Sequence, residues 1–147
     1  MKNSMADERL FVDTWGWLVL ANVRDPSFAA VAERRRNDVE RGRMWVTSDY
    51  VLDETITRLF SAAPFDVAKK FCNGLFESQQ LGLLAIETVT RGRFHSAYKL
   101  RLRYHDKPRV SFTDLTSFTL MHELGIRHVL TADAHFAQAG LGFHRVP

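Results

Sequence analysis

The sequence predicts an α/β fold, with a mostly parallel sheet of four or five short strands and helices on both faces. Short apolar runs alternate with longer stretches of helical periodicity along the chain, and such alternation joins parallel strands through right-handed crossovers. Acidic residues stand where strand-like runs end, at Asp13 and Asp133, or where the next helix begins, at Glu54 and Asp114. In a parallel sheet those places converge on the carboxyl edge, where ligands of such folds bind.

The elements follow in order. Leu10 to Val12 is a short strand of the fully buried kind. Trp15 to Asn22 and Phe28 to Gly42 read as helices separated at Asp25-Pro26. Met44 to Thr47 is the second strand, and Ser48 and Asp49 are cap candidates for a helix reaching Phe60. Pro64 is placed as a first-turn proline of a helix ending near Gln79. Leu83 to Thr88 is the third strand and Thr90 to Tyr104 a basic helix. Lys107-Pro108 lies in a loop, and Thr113 to Leu124 is a helix stopped by Gly125. His128 to Thr131, Ala134 to Ala139 and Phe143 to Val146 complete the pattern as strand, short helix and edge strand.

With 147 residues, 46% hydrophobic and 25% charged, the chain fits one globular domain over residues 1–147. The longest uncharged apolar run, Trp15 to Ala21, is far short of a membrane span. The opening MKNSMADERL is polar, without an apolar signal region, and Met5 is an alternative start. A cytoplasmic location is the default expectation. The single cysteine, Cys72, excludes an intrachain disulfide and a multi-cysteine zinc site, and its apolar surroundings make it a core residue.

The net charge of +3 is unevenly spread. Seven basic residues, Arg91, Arg93, Lys99, Arg101, Arg103, Lys107 and Arg109, face one acid, Asp106, over that segment, with Phe94, Tyr98 and Tyr104 interleaved. Basic groups neutralise phosphates and aromatic rings stack on bases, so this is a candidate RNA surface. A solvated amphipathic helix explains the same residues. Arg34, Arg35 and Arg36 lie among Glu33, Asp38 and Glu40 and read as an ordinary exposed helix face.

Four carboxylates in one crevice repel each other unless a cation sits among them, and oxygen-only ligands favour Mg²⁺ or Mn²⁺ over Zn²⁺. Carboxylate-held Mg²⁺ most often serves phosphate chemistry. Each acid also has a plainer explanation. Asp13, Asp114 and Asp133 could cap the helices that follow them, and Glu54 could be an exposed residue beside the apolar stripe. Thr14, Thr113, Ser117 and Thr131 flank the acids and could orient them, or simply bond their own backbone. Competing chemistries fit worse. His122-Glu123 lacks a zincin's second histidine, because position 126 is Ile, and no phosphate-binding glycine loop or nucleophile elbow occurs.

The segments FVDT, VLDET, SFTDLTSFTLMHELGI and HVLTADAHFAQAGL, in that order, resemble the PIN domain. Within it they resemble the toxin ribonucleases of VapBC-type toxin–antitoxin modules and their free-standing relatives. The resemblance spans almost the whole chain. It implies a three-layer α/β/α sandwich and puts the acidic quartet on Asp13, Glu54, Asp114 and Asp133, with an accessory hydroxyl on Thr131 or Ser117. Some members carry a fifth acid two residues after the last Asp, where this chain has His135. The implied activity is Mg²⁺- or Mn²⁺-dependent endonucleolytic cleavage of RNA, leaving 5′-phosphate and 3′-hydroxyl ends. The implied partners are the RNA substrate, a cognate antitoxin and a second copy in a homodimer. Trp15, Trp17, Leu18 and Phe28 are candidates for the antitoxin contact, with core packing as the alternative. A free-standing ribonuclease of RNA maturation or decay, or a non-catalytic RNA-binding module, are the other expectations to be weighed.

Overall fold

The computed structural model describes residues 9–147; Met5 lies outside them. In chain order the elements are β1 (Leu10–Val12), α1 (Thr14–Leu20), α2 (Phe28–Glu40), β2 (Trp45–Ser48), α3 (Asp49–Ala62), α4 (Phe65–Gln80), β3 (Leu84–Glu87), α5 (Arg91–Arg103), α6 (Phe112–Leu124), β4 (His128–Leu130), α7 (His135–Gln138) and β5 (His144–Val146). The five strands form one sheet in the order β3-β2-β1-β4-β5, every neighbouring pair parallel.

The chain walks from β1 to β3 toward one edge, then crosses back to β4 and β5. Right-handed crossovers therefore put α1 to α4 on one face and α5 to α7 on the other, a three-layer α/β/α sandwich. The direction of winding reverses between β1 and β4, so a crevice opens at their carboxyl ends. Asp13 directly follows β1, and Thr131 and Asp133 follow β4. Topology alone brings them to that crevice.

Strand β1 is central, and Leu10, Phe11 and Val12 are fully buried, as a strand covered on both faces requires. Beside it Trp17 packs on Trp45 with ring centroids 5.9 Å apart and donates from Nε1 to Thr47 Oγ1 at 3.2 Å. The Thr47 hydroxyl donates in turn to the Val12 carbonyl at 2.9 Å, so the polar atoms of this region are satisfied. Gly16 lets α1 lie against the sheet: a Cβ there would stand 2.8 Å from Leu130 Cδ2 and 2.9 Å from Val12 Cγ1. On the opposite face Phe118 meets Phe136 edge-on at 4.9 Å and Phe143 at 5.8 Å, which anchors the short α7 to α6. Cys72 is buried with Leu59 and Ala68 in a small satellite cluster.

Three details depart from the sequence reading. Pro64 is not in the first turn of α4; with ψ at 145° it precedes the helix, and its carbonyl accepts the Ala68 N–H at 3.0 Å. The α2 segment is not an ordinary exposed face. Its Asp38 is 2% exposed and accepts from Arg34 Nε at 2.9 Å and from Trp45 Nε1 at 2.8 Å, while the Arg35 guanidinium lies 4.7 Å from the centroid of the Trp45 ring. Helix α6 starts one residue early, because Ser111 caps it by accepting the Asp114 N–H at 3.0 Å. Its far end stops as expected at Gly125, whose φ of 71° suits glycine.

Candidate active site

Asp13, Glu54, Asp114 and Asp133 all line one cleft of about 430 Å³ at the carboxyl edge of the sheet. Each arrives from a different element: the β1–α1 junction, the second turn of α3, the first turn of α6 and the loop after β4.

The capping alternatives separate here. Asp13 occupies the cap position of α1 but makes no side-chain cap bond; its Oδ2 instead accepts the Thr131 hydroxyl at 2.8 Å. Asp114 is not the cap of α6, since Ser111 is. Asp133 does serve its own loop, with Oδ1 accepting the His135 N–H at 2.8 Å. Thr131 Oγ1 joins two of the acids, because it also accepts the Asp133 N–H at 3.0 Å. Glu54 is half-exposed and pairs loosely with Arg58 at 3.4 Å, one turn along α3.

Asp13 is 7% exposed and Asp114 8%. Among the described residues neither forms an ion pair with a lysine or arginine. Burial pushes the Asp13 carboxyl up to about 6, and the charges of Glu54 and Asp133 add to it against the pull of the Thr131 hydroxyl and the Thr14 amide. Burial likewise lifts Asp114 to about 8, followed by the charges of Asp13 and Asp133. Ionised acids in this arrangement are held at a cost that a divalent cation would remove. The donor set is rich in hard oxygen and has room for an ion, so the residues fit Mg²⁺ or Mn²⁺.

The flanking hydroxyls divide. Thr131 and Thr14 line the cleft, and Thr14 Oγ1 reaches the Val51 carbonyl at 3.5 Å. Ser117 lies one turn beyond Asp114, buried, and its Oγ makes no hydrogen bond among the described residues. It does not line the cleft.

The basic segment also divides. Arg93 is held by Glu123 (Nη2 to Oε2, 2.6 Å), Glu87 (3.1 Å) and the Thr88 carbonyl (2.8 Å). Arg101 donates to the carbonyls of Val110, Tyr104 and Lys107 at 2.6, 2.7 and 2.7 Å and so fastens the loop that leads into α6. Of the seven basic residues only Arg109 lines the acidic cleft. Arg91, Lys99 and Arg103 lie on α5 and Lys107 on the loop after it, with Lys107 3.8 Å from Asp106. Sequence reasoning missed Arg58 and Ser111. Arg58 was discoverable as the i+4 partner of Glu54, and Ser111 as the serine three residues before Asp114. Of the aromatics expected at a partner surface, Trp17 belongs to the core at 3% exposure, whereas Trp15, Leu18 and Phe28 are partly buried.

No family model matches the chain. A curated relative does: VapC20 of Mycobacterium tuberculosis, a 23S rRNA-specific endonuclease, is 30% identical over 131 residues, 89% of this chain and 94% of that one, in strain CDC 1551 and in strain H37Rv alike. The crystal structure of the same M. tuberculosis VapC20, described as a sarcin-ricin loop cleaving toxin, superimposes with a TM-score of 0.72 at 28% identity, covering 89% of this chain and 95% of that one. VapBC2 from Rickettsia felis, solved bound to a DNA fragment from its promoter, shares the fold with a TM-score of 0.68 at 13% identity, over 93% of this chain and 98% of that one. Identity at this level over nine-tenths of the chain, on a parallel sheet that gathers four acids at its switch point, makes the protein a member of the VapC family of PIN-domain endoribonucleases.

Proposed function

We propose that this enzyme cleaves a structured ribosomal RNA loop by divalent-metal-dependent hydrolysis, with Asp13, Glu54, Asp114 and Asp133 as its catalytic and metal-holding residues. One observation carries the reading: two buried carboxylates, Asp13 and Asp114, lie in an acidic cleft with no lysine or arginine paired to either among the described residues. A site of this kind binds a cation more readily than it binds a phosphate. Asp13 and Asp114 would be the principal ligands, with Asp133 and Glu54 completing the set. When bound, a divalent ion supplies the pull that eases deprotonation of an attacking water and offsets charge building on the phosphate. Thr131 fixes the Asp13 carboxylate through Oγ1, so one of its oxygens is oriented in advance. Arg109, on the rim, meets an RNA phosphate, and Lys107, Arg103, Lys99 and Arg91 extend the positive track along α5 and its loop. In the balanced reaction water adds to phosphorus and the P–O3′ bond breaks. The 3′ oxygen leaves protonated, and the phosphate stays on the 5′ end.

The substrate class rests on VapC20, whose described target is 23S rRNA. An antitoxin is supported by a groove of about 930 Å³ along α1, α3 and the start of α4. It shares Trp15 and Arg58 with the acidic cleft, so a bound chain would end beside the carboxylates. We further read the described residues as one domain that works as a homodimer in the cytoplasm; no helix among them is long and apolar enough to cross a membrane.

The test is incubation of the purified protein with ribosomes and with extracted RNA, in Mn²⁺ or Mg²⁺ against EDTA, beside Asp114→Asn. Metal-dependent cuts that map to one rRNA loop and vanish in the variant are expected. Cutting at the wild-type rate by Asp114→Asn would sink the assignment.

A further inference from the structure

Among the described residues His135 is the one imidazole at the acidic cleft. Asp114, Asp133 and His135 each present a ligand atom, and those atoms all lie within 4.8 Å of one another. The His135 Nδ1 stands 3.0 Å from Asp133 Oδ1 and 3.8 Å from Asp114 Oδ2. An ion with bonds of about 2.1 Å separates adjacent ligand atoms by about 3.0 Å, widening to about 4.2 Å for opposed ones. Both separations fall in that range. The Nδ1 atom is itself buried and has no hydrogen-bond partner, since the short approach to Asp133 lacks hydrogen-bonding geometry. Asp133 Oδ1 is already the acceptor for the backbone N–H of His135 at 2.8 Å, which fixes where the ring leaves the chain. The next residue, Phe136, is fully buried against Phe118, which anchors the turn that carries His135. A buried, oriented and unpartnered imidazole nitrogen facing two carboxylate oxygens is either a counter-charge for them or a third ligand beside them.

We infer that His135 Nδ1 is a metal ligand, completing a mixed site with Asp114 and Asp133 that favours Co²⁺, Zn²⁺ and Mn²⁺ over Mg²⁺. The inference rests on the proposed metal-dependent function and narrows it. An imidazole is a softer donor than a carboxylate oxygen, and replacing one oxygen with nitrogen moves selectivity toward the later divalent transition ions. The ring also removes one negative charge from the set, which disfavours Mg²⁺ most because it binds through carboxylates and retains its waters.

The test is metal binding by the full chain without RNA, by titration calorimetry with Co²⁺, Mn²⁺ and Mg²⁺, and by the visible absorption of bound Co²⁺. It compares wild type with His135→Ala, His135→Asp and Asp114→Asn. Loss of the ring as a ligand should weaken Co²⁺ binding at least about tenfold and alter the Co²⁺ spectrum, with a much smaller effect on Mg²⁺. His135→Asp should raise Mg²⁺ affinity above that of the wild type and lower the Co²⁺-to-Mg²⁺ affinity ratio by at least about tenfold. A counter-charge behaves oppositely: its removal would leave every ion bound as tightly or more tightly, and that result overturns the inference. An unchanged affinity ratio in both His135 variants, with binding still lost in Asp114→Asn, overturns it while leaving the nuclease reading intact. Absence of any divalent binding to the wild type would overturn both.

Discussion

Asp38 and Asp13 are both buried acids, at 2% and 7% exposure, in layers of the same small sheet, and their surroundings are opposite. Asp38 receives Arg34 at 2.9 Å and the Trp45 indole at 2.8 Å, with Arg43 at 3.6 Å. Asp13 receives the Thr131 hydroxyl and the Thr14 amide, and the charges it meets are further acids, Glu54 and Asp133. A buried charge with cations around it is architecture: it ties α2 to β2 and leaves little for a ligand to do. A buried charge among like charges is an unmet requirement, and the fold tolerates it only where something else supplies the positive partner. The same residue type is thus structural on one side of the molecule and, in the function we propose, a metal ligand on the other, and its neighbours decide which.

Exchanging each acid for its amide separates the two roles most directly. Asp13→Asn or Asp114→Asn should lower RNA cleavage by at least about a hundredfold, about 3 kcal/mol of lost transition-state stabilisation, with the fold retained. Asp38→Asn should leave the rate per folded molecule within about twofold. Initial cleavage rates normalised to the folded fraction check both, and a catalytic loss at Asp38 equal to that at Asp13 would dissolve the distinction.

Stability against pH also separates the two acids. In EDTA the carboxyls of Asp13 and Asp114 keep their protons in the native state up to about 6 and about 8, whereas in the unfolded chain they lose them near 3.8. Between about pH 4 and 8 the native state therefore holds more protons than the unfolded one, and stability falls as pH rises. Asp13 alone accounts for about 2 kcal/mol between pH 4 and pH 7. Urea midpoints in EDTA should drop across that range, the drop should shrink in Asp13→Asn, and Mn²⁺ should reverse it by binding the ionised form. A midpoint that is flat with pH in EDTA would contradict the reading of the cleft.

Removing the partnered acid should behave as a packing lesion. Asp38→Ala leaves the Trp45 Nε1–H buried without an acceptor and should cost about 1–3 kcal/mol, with no recovery on adding Mn²⁺. The smallest effect expected is at the rim: Lys107→Gln with Arg109→Gln should weaken RNA binding several-fold and reduce the salt slope by about 1 for each phosphate no longer neutralised. A salt slope unchanged from wild type would remove these two residues from the RNA track.

The sequence carries the fold almost completely, for local reasons. Val12, Leu84 and Leu130 sit in runs too short and too apolar for anything but buried strands, and Asp25-Pro26 and Gly125 punctuate the helices where the backbone requires it. The convergence of the four acids was legible for a topological reason, because the carboxyl ends of parallel strands share one edge. What stayed hidden depends on partners far away in sequence. Arg93 and Arg101 look the same as Lys99 and Arg103 in the chain, yet Arg93 reaches Glu123 across thirty positions and Arg101 turns back on the loop carbonyls. Asp38 was unreadable in the same way, since nothing local says that an acid in a charged helix faces an indole on the next strand. Trp17 beside Trp15 makes the same point: helical phase puts one in the core and leaves the other at the cleft.

Gly16 bears no functional group, yet it governs how near α1 lies to the strands that carry Asp13 and Thr131. Any side chain there must displace Leu130 or Val12, both fully buried, and the helix that follows Asp13 shifts with them. In a screen of variants for loss of RNA cleavage, inactive alleles should therefore fall at Gly16 as well as at the acids. Such a screen would register this glycine as though it were one of the acids.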